Sequence, residues 1–437
     1  MKKVITYGTY DMFHYGHQRL LERAKALGDY LIVGVTTDDF DKKRGKINVH
    51  QSLMERIESV RATGLADEII IEEYEGQKID DIKRFDVDIF TVGSDWVGHF
   101  DYLKEFCEVV YLDRTEGVSS SDIRSKQRNL RLGLVGEGNV LKKFYDESQY
   151  VNGMDVVEIC LSNENEREFY DESLLNSNYD DLLKNVDAIF LISHPSSHYN
   201  QIKKAFENKV HVLCESPITL NEKEYLELFN LAKERNLILM DSIKTAYSTA
   251  YDRLLLLIKG GKIGNVYSID ATCTSLKDFN NSWNSISSWG PTALLPVFQL
   301  LGTDYLNKEI ISWVSDEIEN HDLFTKINFL YDDAVASIKV GTGVKSEGEL
   351  IISGTEGYAY VPAPWWKTDY FELRFEDPND NKKYFYQLDG EGIRYELVAF
   401  TKAIELNKMY SYVDFNVSKA ICSIMEDFEN KNINYIK

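Results

Sequence analysis

Residues 8–17 read GTYDMFHYGH. This stretch sets two of the chain's eight histidines, His14 and His17, three positions apart around Gly16. Imidazoles can donate hydrogen bonds to an oxyanion and exchange a proton near neutral pH. A glycine between them lets the main chain approach a ligand closely. Two such donors beside exposed backbone amides suit the charge that builds on a phosphate during displacement. Asp11 adds a carboxylate to the same stretch.

The elements that must position these groups are legible on either side. Residues 4–7 form a short apolar run ended by Gly8, the pattern of a buried strand. Residues 17–27 carry Leu20, Leu21, Ala24 and Leu27 at helical spacing, with charged residues on the other face, and Gly28 as a stop. A strand–loop–helix unit delivers its loop to the carboxyl edge of a parallel sheet, where ligands bind. His17, at the expected start of the helix, then has free amides and the dipole beside it. The alternation continues: a strand over 30–38, a helix over 53–63, strand EIIIEE, a helix over 78–85, then strands DIFTVGSD and EVVYL. Strands alternating with helices predict a parallel sheet covered on both faces.

HYGH matches the HxGH signature of the nucleotidyltransferase superfamily, and residues 1–125 resemble the glycerol-3-phosphate cytidylyltransferase family. The likeness runs through HYGHQRLLERAKALGDYLIVGVTTDDF, VGSDWVGHFDYL and CEVVYLDRTEGVSSSDIR. It implies that His14, His17, Lys46 and Arg114 are catalytic. It implies a CTP site of Thr9, Tyr10, Phe13, Gly16, Asp95, Thr115, Ser119, Ser120 and Ser121. It implies acceptor contacts from Asp11, Asp38, Arg44 and Lys78, and Mg²⁺ entering with CTP. The reaction implied is direct in-line attack of a small polyol phosphate on CTP, releasing pyrophosphate. For Asp11 a loop-bracing role stays open, and for Trp96 packing and binding stay open. The family's arginine before its V-D-E-V strand is replaced here by Gly64, with Arg61 nearby as a substitute.

A polar stretch, SDIRSKQRN, separates this region from a second one. There GLVGEG follows a strand and opens a helix, a weak dinucleotide signal by itself. Further alternation, VVEICLS, DAIFLIS, HVLCE and LILMD, predicts a second α/β domain. Beyond residue 266, runs such as YSIDATC, TKINFLY, AVASIKV and YFELRFE predict a large, mostly antiparallel sheet with one solvated face. A closing helix is expected over 395–406.

DAIFLISHPSSHYNQIKKAFENKVHVLCESPITLNEKE, LILMDSIKTAY and GKIGNVYSIDA resemble the Gfo/Idh/MocA oxidoreductase family over residues 130–435. The resemblance implies an NAD(P) site of Gly136, Gly138, Ser162, Asn163, His194, Pro195, His198, Glu215 and Lys244. Ser162 and Asn163 stand where an acidic residue would take the ribose hydroxyls of NAD. The family's E-K-P lysine is replaced by Ser216. Its downstream proton-relay positions fall on Ser288, Thr292 and Leu295. Lys244 is a nearby cation for the lost lysine. Trp365 and Trp366 invite a sugar-binding or a packing reading.

The expected fold class is α/β: an N-terminal Rossmann-like nucleotidyltransferase domain (1–127), a Rossmann domain (130–250), and an α+β domain with the large sheet (251–437). The net charge of −22 disfavours nucleic acid and anionic membrane as partners, so an anionic substrate needs a local basic pocket. Five scattered cysteines without a CxxC pair read as reduced thiols, and the apolar start is too short for a signal peptide; a cytoplasmic protein is expected. CTP and a small polyol phosphate are the expected partners, and a homodimer or larger homo-oligomer the expected assembly. The leading expectation is a CDP-polyol-forming enzyme, CDP-glycerol foremost, for capsular or teichoic-acid-like polymers. Its second part would reduce the polyol precursor. Two alternatives stay open: a non-catalytic, nucleotide-binding or dimerising second part, and an ATP-using HxGH transferase.

Overall fold

The computed structural model describes residues 1–37, 40–41, 49, 51, 53–74, 76–113, 129–151, 153–276, 283–315, 321–386, 388–405, 407 and 411–436. The chain divides into two compact units, Met1–Asn129 and Leu130–Lys437.

In the first unit the elements are β1 (Lys3–Gly8), α1 (Tyr15–Lys25), β2 (Tyr30–Thr36), α2 (Leu53–Arg61), β3 (Glu68–Glu72), α3 (Gln77–Phe85), β4 (Ile89–Gly93) and β5 (Glu108–Leu112). The five strands pair in parallel in the order β3-β2-β1-β4-β5. β1 is central, and successive side chains point to opposite faces. Val4 therefore packs with Leu21, Ala24, Ile57 and Val60 of α1 and α2. Its neighbour Ile5 packs with Ile82, Phe90 and Leu103 on the other face. Burial on both faces explains why β1 and β2 read as continuous apolar runs. α1 starts at Tyr15, two residues before the expected start, because His14 supplies the cap: its Nδ1 accepts from the Gly16 amide at 3.1 Å. Arg23 and Lys25 in the last turn complement the dipole.

The second unit begins with β6 (Leu130–Gly136), α4 (Gly138–Ser148), β7 (Met154–Leu161), α5 (Tyr179–Asn185), β8 (Ala188–Ile192), α6 (Pro195–Glu207), β9 (His211–Glu215), α7 (Glu222–Glu234) and β10 (Leu239–Ser242). These strands form a parallel sheet in the order β10-β9-β8-β6-β7. Then follow α8 (Thr249–Lys259), β11 (Val266–Thr274), α9 (Ser285–Leu301), β12 (Asn307–Val314), β13 (Asp322–Leu330), β14 (Val335–Gly341), β15 (Leu350–Gly354), β16 (Tyr358–Val361), β17 (Tyr370–Arg374), β18 (Lys382–Phe385), α10 (Ile393–Glu405), α11 (Phe415–Glu429) and β19 (Asn434–Ile436). The nine strands from β11 on form one sheet, β18-β17-β16-β15-β11-β14-β13-β12-β19. It is antiparallel except at β11/β14 and β12/β19.

Three helices lie outside the sequence reading. α9 contains Pro291 and Pro296, each of which costs a helix interior about 3 kcal/mol. Burial of Ala293, Leu294, Leu295, Val297 and Phe298 against the large sheet offsets that cost. α8 and α11 carry apolar residues on nearly every turn. The expected closing helix is α10, and α11 and β19 follow it. Among the described residues, no helix is long and apolar enough to cross a membrane.

Candidate functional sites

The loop between β1 and α1 bears two non-glycine residues with positive φ, Tyr10 (55°) and Met12 (48°). Such conformations cost about 1–3 kcal/mol each and persist only where neighbours hold them. Here the neighbours are identifiable. The Gln51 side-chain oxygen accepts from the Met12 amide (2.9 Å), and the Asp11 carboxylate accepts from the Gln51 amide (3.0 Å). Arg56 donates to the carbonyls of Thr9 (2.8 Å), Thr36 (2.8 Å) and Gln51 (3.1 Å). It also lies 3.9 Å from Asp41, with both side chains buried. Thr9 donates to Asp41 at 3.0 Å. Sequence reasoning missed Arg56, Asp41 and Gln51. The available signal, for Arg56 alone, was its helical spacing from Leu53 and Val60, which puts a charge on the apolar face of α2.

The loop so held presents His14 and His17 face to face, with ring centroids 3.9 Å apart and planes at 21°. Tyr10 meets His17 edge-on at 5.5 Å, and Phe13 lies 5.5 Å from the same ring. Tyr10 is buried, and burial raises its hydroxyl pKa, so it stays neutral. Gly16 is the amide that His14 caps.

A cavity of about 60 Å³ opens beside the loop, lined by Tyr7, Gly8, Thr9, Thr36, Lys78 and Trp96 among others. Lys78 is buried, pairs with Glu72, and lies 4.6 Å above the Tyr7 ring. Asp95 is exposed in the turn after β4, next to the partly exposed Trp96. Asp11 is buried in the loop-bracing contact described above. Arg61 forms a surface pair with Glu58. Asp38, Arg44, Lys46, Arg114, Thr115, Ser119, Ser120 and Ser121 lie outside the described residues.

The second unit holds a much larger cavity, about 710 Å³, between the carboxyl edge of its parallel sheet on one side and the start of α9 with the Trp366–Lys367 turn on the other. Gly138, Asn163, Glu215 and Lys244 line it, as do Ser216, Ser288, Thr292 and Trp366. Gly138 opens α4 with φ +87°, and nothing lies within 4 Å of where a Cβ would stand. This open turn fits a dinucleotide pyrophosphate. Its amide is donated, at 2.8 Å, to the carboxylate of Glu166, which also lines the cavity. Gly136 serves a different end: at φ +133°, a Cβ there would stand 1.9 Å from the Ile192 carbonyl, so it sets the approach of β6 to β8.

Five expected cofactor residues are absent from the lining: Gly136, Ser162, His194, Pro195 and His198. His194 and Pro195 are the N-cap and first residue of α6. His198 is fully buried, with its ring nitrogens 3.0 Å from the Pro217 carbonyl and 2.7 Å from the Ser193 carbonyl. Burial pushes its pKa down to about 4. It is a core group joining α6 to the strand ends, not one facing a nicotinamide. Leu295 is also core, while Trp365 is buried with its indole N–H on the Thr272 carbonyl at 3.1 Å.

Lys244 donates to Glu391 (2.6 Å), and so do Lys143 and Lys367 (2.9 Å each). Burial pushes the Glu391 pKa up, but the three ammoniums outweigh it and hold it down at about 2. Deeper lie Glu215, Asp241 and Glu396. Burial pushes Glu215 up to about 8 against the pull of Lys244, and Asp241 up to about 6. Burial likewise raises Glu396 far above the carboxylate range. Among the described residues no cluster of His, Cys, Asp or Glu could hold a metal ion.

Comparison with known proteins finds relatives of both units. Residues 5–126 match the cytidylyltransferase-like family, and residues 130–242 match the oxidoreductase family with an NAD-binding Rossmann fold. A glycerol-3-phosphate cytidylyltransferase of Bacillus spizizenii is 52% identical over 130 residues, which is 30% of this chain and all of that protein. One from Staphylococcus aureus is 49% identical over 128 residues, covering 29% of this chain and 95% of that protein. Among solved structures, a 3-ketoreductase from Actinomadura kijaniata, in complex with NADP and TDP-benzene, matches with a TM-score of 0.63 at 15% identity, over 71% of this chain and 100% of that one. A UDP-N-acetylglucosamine 3-dehydrogenase from Acidithiobacillus ferrooxidans matches with a TM-score of 0.57 at 17% identity, over 68% of this chain and 96% of that one. At such identity the likeness speaks for the fold of the second unit. The chain belongs to the glycerol-3-phosphate cytidylyltransferase family of nucleotidyltransferases through its first unit, fused to a second unit of the Gfo/Idh/MocA oxidoreductase fold.

Proposed function

We propose that the first unit joins CTP to glycerol phosphate, forming CDP-glycerol and pyrophosphate. The observation that carries this reading is the stacked His14–His17 pair at the start of α1. A phosphomonoester oxygen attacks the α-phosphorus of CTP, and the bond to the β-phosphate oxygen breaks. His14 and His17 donate to the phosphate oxygens whose charge grows, while Arg56 and Gln51 hold the loop that carries them. Thr9, Tyr10, Phe13, Gly16 and Asp95 are proposed for the nucleotide and Lys78 for the acceptor phosphate, which must then compete with Glu72. Mg²⁺ is proposed to travel on the triphosphate and neutralise its charge. The test is pyrophosphate release with CTP or ATP across sn-glycerol-3-phosphate, glycerol-2-phosphate and ribitol-5-phosphate. Release with CTP and glycerol phosphate supports the reading; release with ATP alone moves it to another HxGH transferase.

For the second unit we propose NAD(P) binding at the Gly138 turn and reduction of the carbonyl precursor of the same polyol phosphate. The nicotinamide supplies a hydride when bound; Gly138 and Asn163 hold the dinucleotide, and Lys244 faces the cavity with a proton donor. The products would feed teichoic-acid-like or capsular polymers. A second reading, a non-catalytic module, is favoured by Ser216 at the lysine position, by Thr292 and Leu295 at the relay positions, and by the Glu166 carboxylate on the Gly138 amide. Oxidation of NAD(P)H by ketose or aldose phosphates decides between the two.

A further inference from the structure

In a chain of net charge −22, three ammonium groups converge at one end of the larger cavity. Lys143 comes from α4, Lys244 from the short 3-10 turn after β10, and Lys367 from the turn before β17. One carboxylate, Glu391, sits among them, with both oxygens within 3.0 Å of Lys143. It is delivered by a turn in which Gly390 and Glu391 have φ of 62° and 53°. One carboxylate against three ammoniums leaves two positive charges, the complement of a phosphate monoester dianion. Partial burial lowers the Lys143 pKa, and Lys244 and Lys367 lower it further. The cluster is thus arranged against its own repulsion.

Two residues that line the same cavity carry polar atoms that no group among the described residues satisfies. Ser288 Oγ and Trp289 Nε1 are buried and have no hydrogen-bond partner among the described residues, and both residues line the cavity. Such groups in a folded protein call for an explanation, and ligand hydroxyls supply one. Trp289 and Trp366, ring centroids 5.0 Å apart, add an aromatic wall. The glycine turn at Gly138 lies five residues before Lys143, about 7.5 Å along the helix, so the lysines are offset from the dinucleotide cradle.

We propose that this cavity binds a small phosphorylated polyhydroxy compound, its phosphate seated on Lys143, Lys244 and Lys367 in competition with Glu391, and its hydroxyls on Ser288 and Trp289. The proposal deepens the reading of the second unit and rests on it for the choice of carbonyl compounds as probes.

The test uses the full chain carrying Trp96→Phe, which leaves tryptophans only beyond residue 130. Tryptophan fluorescence and calorimetry follow titration with dihydroxyacetone phosphate, ribulose 5-phosphate, dihydroxyacetone, ribulose, inorganic phosphate and NADP⁺. At least one phosphorylated ketose should bind tenfold or more tightly than its unphosphorylated counterpart. Lys143→Met with Lys367→Met should erase that preference while NADP⁺ affinity holds, and Glu391→Gln should tighten the phosphorylated ketose severalfold. If the double variant fails to melt cooperatively, Glu391→Gln and the single Lys367→Met decide. Equal binding with and without phosphate, no binding of either phosphorylated ketose, or a loss confined to NADP⁺ would overturn the proposal. NADPH oxidation is followed in parallel. Phosphate-dependent binding without oxidation sinks the reductase reading and keeps the site. Equal oxidation of unphosphorylated ketoses keeps the reductase and sinks the site.

Discussion

His14 and His17 stack with ring centroids 3.9 Å apart, and the Nδ1 of His14 is at the same time the cap of α1. One histidine therefore closes the helix start while both rings present a face of donors. Alanine at His17 should lower the rate of CTP-dependent pyrophosphate release about 10²–10³-fold. Alanine at His14 should do the same and also destabilise α1 by about 1 kcal/mol through the lost cap. Initial rates and denaturant melts of the two variants check this; equal stability of both would remove the capping role.

Arg56 ties the loop after β1 to the end of β2 from inside the fold. Removing one partner of a buried ion pair costs about 3–5 kcal/mol. Arg56→Met should therefore lower stability by that order and abolish pyrophosphate release, whereas Arg61→Ala, on the solvent side of the same helix, should change stability by less than about 1 kcal/mol. Urea unfolding followed at Trp96, with the other tryptophans replaced by Phe, reads the first unit.

The two glycines of GLVGEG do different jobs, so alanine should separate them. Gly136→Ala drives a Cβ into the Ile192 carbonyl and should destabilise the second unit by several kcal/mol, with loss of cooperative unfolding as the expected extreme. Gly138→Ala meets no atom and should cost about 1 kcal/mol for its positive φ, while weakening NADP⁺ binding by an order of magnitude. Thermal melts and calorimetric titration with NADP⁺ distinguish the two.

Glu166 holds a negative charge on the amide that a pyrophosphate would use. Glu166→Gln should tighten NADP⁺ binding severalfold, measured by calorimetry. Unchanged affinity would mean that the dinucleotide does not reach the Gly138 turn.

Burial raises Glu215 to about 8 and Asp241 to about 6. Groups whose pKa is raised on folding hold protons in the native state that the unfolded chain has released. The contribution of these two carboxyls to the stability of the second unit should accordingly fall as pH rises from about 4 to 8, while His198, held down at about 4, contributes with the opposite sign below about 6.5. Glu215→Gln should flatten the part between about 4.5 and 8, where a single group contributes at most about 1.4 kcal/mol per pH unit. Unfolding midpoints of the parent and Glu215→Gln across that range test it: a slope between about 6.5 and 8 untouched by the substitution would show Glu215 to be ionised in the fold.

The sequence by itself determined what is local. Apolar runs of four to seven residues between helical periods specify β1 to β10 and the helices between them, because burial on both sheet faces demands continuous hydrophobicity in a strand. HYGH and GLVGEG announce their loops for the same reason, since each motif lies between a strand and a helix adjacent in the chain. Their boundaries moved by about two residues where a side chain, His14, took the capping position. Helix α9 escaped that reading because its two prolines mimic a loop, and only burial against the large sheet makes the helix worth its cost.

Which partner a polar residue finds was decided by tertiary structure alone. Arg56 reaches the Thr9 carbonyl across 47 residues, and Lys143 reaches Glu391 across 248. His198, spaced like a site residue, was drawn into the core, while Trp289, without any motif role, came to line the cavity beside Ser288. Spacing along a chain encodes which face of an element a residue occupies. It does not encode which distant element will be folded against that face, and there the charges of both sites are set.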